Sequence, residues 1–235
     1  DEISLLEGLS NQAAQAITNA HLFENTERKL NNIKALHTID NAISNSMDIR
    51  YTLNVVAEET IDQLGLDAVD ILLFKPDRNS LESAVCQGFL TPSMQNISLS
   101  VGEGIAGYIA ANRKRVFIAD MENFQDESFT LPAFLGEDFV SYIGMPLEAK
   151  GQLVGIMEIF NRTRLNPDEE WFEFLDTLAG QAAIAIDNIK SFEELQISNT
   201  KLFMAYDDTI EGWSRAMDLR DKETEGHTRR VTDLT

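Results

Sequence analysis

The sequence predicts an α+β fold, an antiparallel sheet with helices bundled on one face. Three observations predict it. Short segments rich in β-branched and aromatic residues, separated by turn signals, fill residues 67–160. Capped helical segments precede and follow them. The two ends of the chain share a self-similar helical stretch whose apolar residues recur in alternating steps of three and four, the period of a coiled-coil seam.

The self-similar pair is LEGLSNQAAQAITN at Leu6–Asn19 and LDTLAGQAAIAIDN at Leu175–Asn188, with Phe23-Glu24 matching Phe192-Glu193 in the same register. The second copy closes the sheet domain, so the first is expected to close another domain ahead of residue 1, and the chain is expected to be cut at both ends. The first helix keeps its seam from Leu6 to Phe23, then slips to steps mostly of three through Leu30, Ile33, Leu36, Ile39 and Ile43. A slip of that kind overwinds or breaks a supercoil.

Asp48 can cap a helix that runs through Leu64 and ends at Gly65. Asp67–Lys75 reads as a strand, Pro76–Asn79 as a turn, and Leu81–Gln87 as the returning strand. Ile97–Val101 is a short strand, and Gly102-Glu103-Gly104 opens a small helix through Ala111. Arg115–Ala119 is a strand, and residues 120–138 form a long loop rich in Phe and acids. Ser141–Ala149 and Gln152–Phe160 make a hairpin across Lys150-Gly151. The closing helix then carries its three-four seam from Leu175 to Met217, a length suited to pairing with a partner helix. Gln196 and Asn199 interrupt the seam with polar residues, which weaken a coiled coil and fix its register.

The chain is 43% hydrophobic and 25% charged, with net charge −20. That charge disfavours nucleic acid and anionic membrane as partners. No apolar run reaches the ~18 residues of a membrane span. Cys86 is the single cysteine, which excludes an internal disulfide and fits a reducing compartment, so a cytoplasmic location is expected. A lone strand cysteine reads as a small core residue before it reads as a chromophore tether.

Several segments together carry a family resemblance. Val101–Gly107 (VGEGIAG), Ile118-Ala119-Asp120 followed by Asp126 and Phe129, Ser141–Leu147 (SYIGMPL), Val154–Ile159 (VGIMEI) and Asn161-Arg162 with Asp168-Glu169 resemble a GAF domain. The resemblance covers about two-thirds of the chain and places the domain at 36–190, between a signalling helix at 1–35 and a coiled-coil linker at 191–217. It implies a pocket for an unknown small molecule between the sheet and the loops around residues 102–138. The pocket residues expected from it are Asp120, Phe124, Phe129, Phe134, Tyr142 and Met145. The three phenylalanines of the loop can be a lid or core. The three-four seam of the closing helix leads to the expectation of a homodimer, with parallel helices as the natural arrangement for a relay. Asn161, Arg162, Asp168 and Glu169 fit the Asn-Lys-Phe-Asp-Glu pattern of some cyclic-nucleotide-binding members, with Leu165 in place of the Phe. The plainer expectation is an Arg162 ion pair pinning the last strand to the helix start. With no His between His37 and His227, a His-ligated haem or metal inside the domain is not expected.

The end of the chain carries a second resemblance. Arg220-Asp221, Thr224, Gly226-His227 and Arg230-Val231 are similar to the opening of an HD-GYP domain, here covering 218–235. That family implies metal-dependent hydrolysis of cyclic di-GMP, with His227 and Glu223 among the ligands of iron or manganese. No catalytic residue and no cofactor are expected within these residues themselves; both belong to a longer parent protein. The competing readings are the sensor part of a histidine kinase, which the Thr228-Arg229-Arg230 after His227 disfavours, and a module that only dimerises.

Overall fold

The computed structural model of the protein describes residues 2–91, 97–124 and 136–232, with the side chains of 2–10, 13, 216 and 218–232 left aside. Its elements are α1 (Glu2–Asn45), α2 (Ile49–Leu64), β1 (Ala68–Lys75), β2 (Ser80–Gln87), β3 (Ser98–Ser100), α3 (Gly104–Asn112), β4 (Val116–Ile118), β5 (Ser141–Ala149), β6 (Gln152–Asn161) and α4 (Glu169–Thr232). The chain divides into two units, Asp1–Asp187 and Asn188–Thr235.

Local chemistry sets the ends of α2. The Asp48 carboxylate accepts the N–H groups of Arg50 and Tyr51, and Gly65 takes a left-handed backbone with φ 64° to close the helix. The six strands form one antiparallel sheet in the order β3-β2-β1-β6-β5-β4. Two irregularities interrupt its register. The first lies between β1 and β2, where Ile71 pairs with Val85 and Leu72 with Ser83. Ala84 is therefore an extra residue, a bulge that lets Ser83 and Cys86 lie on one face although three positions apart.

Both faces of the sheet are covered. On one, Val69, Ile71, Ile143, Met145 and Ile159 pack against α2, the end of α1 and the start of α4, the last supplying Leu175, Leu178, Ala182 and Ile186. On the other, Leu72, Leu81, Tyr142, Ile156 and Phe160 pack against Ile105, Ala106 and Ile109 of α3. Each fully buried aliphatic side chain contributes roughly 1.5–3 kcal/mol. The expected antiparallel sheet with helices bundled on one face is the fold formed, with short α3 alone on the reverse side.

Two expectations about the helices change. The seam from Leu175 to Ala185 does not face a partner helix: Leu175, Leu178, Ala182 and Ala185 are buried in their own unit. Phe174, Ala179, Ala183 and Ile186 join the core too, and this wider stripe is what a helix lying on a sheet needs. The slip in α1 has the same cause. From Ala14 to Ile33 its apolar residues are exposed, whereas Ala35, Ile39 and Ala42 are buried, so the period changes where the helix begins to pack on its own domain.

In the second unit, residues 188–232 are helical throughout. Phe203, Tyr206, Ile210, Trp213 and Met217 are exposed there.

Candidate functional site

The chemistry of this fold is concentrated in one cross-strand row on the α3 face of the sheet. Cys86 of β2 pairs with Asp70 of β1, Asp70 pairs with Glu158 of β6, and Glu158 pairs with Gly144 of β5. Strand alternation places Asp70 on this face between Ala68 and Leu72, and Glu158 between Ile156 and Phe160.

Both acids are buried, Asp70 at 0% and Glu158 at 2% exposure. Asp70 Oδ1 accepts the Ser83 hydroxyl at 2.8 Å and the Cys86 thiol at 3.2 Å. Its Oδ2 is buried with no hydrogen-bond partner. Glu158 Oε1 accepts the Tyr142 hydroxyl at 2.7 Å. Gly144 makes that bond possible: a Cβ there would lie 2.2 Å from the tyrosine oxygen and 2.3 Å from Ile109 Cδ1. The ring of Tyr142 occupies the space that any larger residue at 144 would take.

Burial raises the Asp70 carboxyl to about 6, against the donors of Ser83 and Cys86 that lower it. Burial and then the charge of Asp70 raise Glu158 to about 8. Burial and the same carboxylate push the Cys86 thiol up to about 12, so it is a hydrogen-bond donor and no nucleophile. Tyr142 is likewise held well above its ordinary value, first by burial and then by Glu158. None of the ion pairs among the described residues includes Asp70 or Glu158.

Aromatic rings border the row. Phe139 stacks on Phe160 with centroids 4.9 Å apart, Tyr142 meets Phe160 edge-on at 5.3 Å, and Phe89 packs edge-on against both phenylalanines. The Arg162 guanidinium lies 4.8 Å from the centre of the Phe139 ring. The same guanidinium pairs with the buried Glu137 at 3.1 Å, donates to the Gly88 carbonyl and faces Asp67 at 3.6 Å. Glu137 in turn accepts the N–H groups of Leu90 and Thr91 and the Thr91 hydroxyl. Burial alone would raise Glu137; the Thr91, Leu90 and Arg162 donors hold it below the ordinary carboxylate value instead.

Arg162 therefore does not pin β6 to the start of α4. It ties β6 to the segments at 67, 88–91 and 137, while Asp168 caps α4 through the Trp171 N–H at 2.8 Å and Glu170 pairs with Arg28 of α1.

The sequence-predicted pocket residues do not form one cluster. Tyr142 is in the row. Met145, an odd number of positions further along β5, faces the opposite side of the sheet. There it lines a groove of about 360 Å³ with Arg115, Glu148 and Asp176. Asp120 accepts the backbone and side-chain amides of Asn123, and those bonds lower its carboxyl. Phe124 is exposed. Phe129 and Phe134 lie outside the described residues. Glu223 and His227 fall on the α4 backbone, with their side chains also outside the description. Among the described residues no group of three or more His, Cys, Asp or Glu is placed to hold a metal ion, and no helix is long and apolar enough to cross a membrane.

Sequence reasoning missed Asp70, Glu158 and Gly144. Each acid is a single charge inside an otherwise apolar strand, AVDILLF and IMEIF. That pattern was the available sign, since a strand covered on both faces has no solvent side for its charge.

The pattern of the GAF domain family matches residues 46–187. Solved structures share the fold. The GAF domain of a phosphoenolpyruvate-protein phosphotransferase from Coxiella burnetii superimposes with a TM-score of 0.62 at 22% identity, covering 70% of this chain and 98% of that one. Free methionine-R-sulfoxide reductase from Neisseria meningitidis, in complex with its substrate, gives 0.57 at 19% identity over 68% and 90% of the two chains. The GAF domain/HD domain protein from Geobacter sulfurreducens gives 0.53 at 13% identity over 63% and 97%. No curated protein matches this chain.

Proposed function

Since this chain belongs to the GAF domain family, we propose that it is the ligand-reading module of a signalling protein, and that the face carrying Asp70 and Glu158 is where a small molecule is read. The observation that carries this reading is the buried acid row. Two carboxylates without a paired cation cost stability, and a fold keeps such a feature where recognition uses it. The Neisseria meningitidis reductase, alike in fold, was determined with a small molecule bound, which supports a small-molecule role.

The output follows from the other side of the sheet. Strands β1, β6 and β5 hold the row on one face and the start of α4 on the other, through Ile71, Ile143, Ile159 and Leu178. A ligand that shifts these strands changes what α4 packs against. In this reading residues 191–217 pair with the same helix of a second copy in parallel. The joint at Gln196 and Asn199 passes the change to an HD-GYP phosphodiesterase opening at 218–235. There Glu223 and His227 would hold iron or manganese, and the substrate would be cyclic di-GMP. The name of the Geobacter sulfurreducens protein joins a GAF domain and an HD domain in one protein, which supports this reading.

The test is a thermal-shift screen of the protein against small metabolites, where a specific ligand at a hundred times its dissociation constant adds about 2.7 kcal/mol. Cyclic di-GMP hydrolysis by the natural gene product, with and without His227→Ala, tests the output. A flat screen removes the sensor reading, and undiminished hydrolysis in the variant removes the metal role of His227.

A further inference from the structure

We infer that the molecule read at the Asp70–Glu158 row is a small organic cation bearing N–H donors, a protonated amine or guanidine. This rests on the ligand reading given above and names its chemical class.

The first argument is an unmet acceptor. Asp70 Oδ1 already takes two donors, Ser83 and Cys86, whereas Oδ2 of the same fully buried carboxylate has none. A buried acceptor without a partner costs about 1–3 kcal/mol, more when charged, and a ligand donor removes that cost.

The second is charge. Asp70 and Glu158 are direct cross-strand partners, a placement in which like charges repel. No ion pair of the described residues reaches them. Residues 92–96 and 125–135, whose placement is not described, contain no Lys, Arg or His that could supply one. Arg162, which lies over the Phe139 ring beside the row, is committed to Glu137 and Asp67. An anionic ligand would add further negative charge to the row.

The third is the surround. Phe160 stands two residues from Glu158 on the same face, flanked by Tyr142, Phe139 and Phe89. Aromatic faces next to carboxylates suit organic cations, because ring quadrupoles and fixed negative charge add. Ser83 and Cys86, at the β2 end of the row, are only half buried.

Among the described residues, the groups facing the pair are Ser83 and Cys86 from β2, Tyr142 from β5, and the apolar Ile105 and Ile109 from α3. Burial keeps Glu158 protonated to about 8 and Asp70 to about 6, so near neutrality the pair holds about one proton. A monovalent cation that takes its place releases that proton to solvent, and the net charge of the row is the same before and after.

The probes are putrescine, agmatine and phenethylamine, with N,N,N-trimethylphenethylammonium as a cation lacking N–H, and acetate and cyclic GMP as anions. Binding to the whole chain is followed by calorimetry at pH 6 and pH 8 in buffers of different ionisation enthalpy. An N–H cation is expected to bind about tenfold or more tightly at pH 8 than at pH 6, with proton release near one. Asp70→Asn and Glu158→Gln, both close in shape to the native residues, are each expected to weaken it at least about tenfold and to reduce the pH dependence. Equal binding of the trimethyl analogue overturns the role of Oδ2. Binding of an anion, unaffected by Asp70→Asn, overturns the cation inference while leaving a ligand-reading domain. Failure of every probe and of a broad metabolite screen overturns both. Binding of an amine without proton release by the native protein overturns the exchange, whether or not the variants fold.

Discussion

Asp70 and Glu158 stand directly opposite each other across β1 and β6, both buried and neither paired with a cation among the described residues. Their carboxyls are raised to about 6 and about 8. The folded state therefore binds more protons than the unfolded chain between about pH 4 and pH 8, and stability falls as pH rises through that window. Thermal melts of the unliganded protein should show a melting temperature that declines from pH 5 to pH 8. The slope is at most about 1.4 kcal/mol per pH unit for each titrating group. Glu158→Gln should flatten the upper half of the decline, and an unchanged slope in that variant would contradict the assignment.

Gly144 holds space for the Tyr142 hydroxyl. Gly144→Ala should destabilise the protein by about 1–3 kcal/mol, because the new methyl meets both Tyr142 and Ile109. The same substitution breaks the Tyr142–Glu158 bond, so it should also shift the pH profile of stability. Denaturant unfolding at pH 6 and pH 8 measures both effects, and a loss that is equal at the two pH values would separate packing from titration.

The Arg162–Glu137 pair joins segments far apart in sequence around a carboxylate that is fully buried. Arg162→Gln leaves that charge without its cation and should cost about 2–4 kcal/mol in urea unfolding. Arg162→Lys should restore little of it, since the native side chain uses its fork to reach Glu137, Gly88 and Asp67 at once. Full rescue by lysine would reduce the latch to a point charge.

Exposed Phe203, Ile210 and Trp213 recur at the seam spacing of the second unit. Replacing Ile210 and Trp213 by Asp should convert a dimer into a monomer in light scattering, whereas Gln196→Leu with Asn199→Leu should raise the dimer's melting temperature. A native protein that is monomeric at all concentrations would remove the paired-helix reading.

Much of this fold could be read from local chemistry. Asp48 and Gly65 mark the ends of α2 because capping is decided by neighbours in sequence. The strand Ser141–Ala149 and its Lys150-Gly151 turn follow from residue type and the left-handed conformations at both turn positions. The site was less legible. Tyr142 and Met145 were grouped as pocket residues although strand period alone sends them to opposite faces. Asp70, Glu158 and Gly144 become neighbours only through the order β1-β6-β5, and non-local pairing leaves no mark on a single strand. The seam of α4 misled for a related reason: the same three-four spacing serves a sheet or a second helix, and the flanking Ala179 and Ala183 decide which.

The bulge at Ala84 determines how many donors one carboxylate oxygen can collect. If the same residues ran as a regular strand without the bulge, Ser83 and Cys86, three positions apart, would lie on opposite sides of the sheet and Asp70 Oδ1 would lose one of them. A domain with the same residues here but a regular pairing of its strands would thus hold its acid with one donor fewer. Comparison by residue identity alone would pass over that difference, because it lies in the pairing register and not in the side chains.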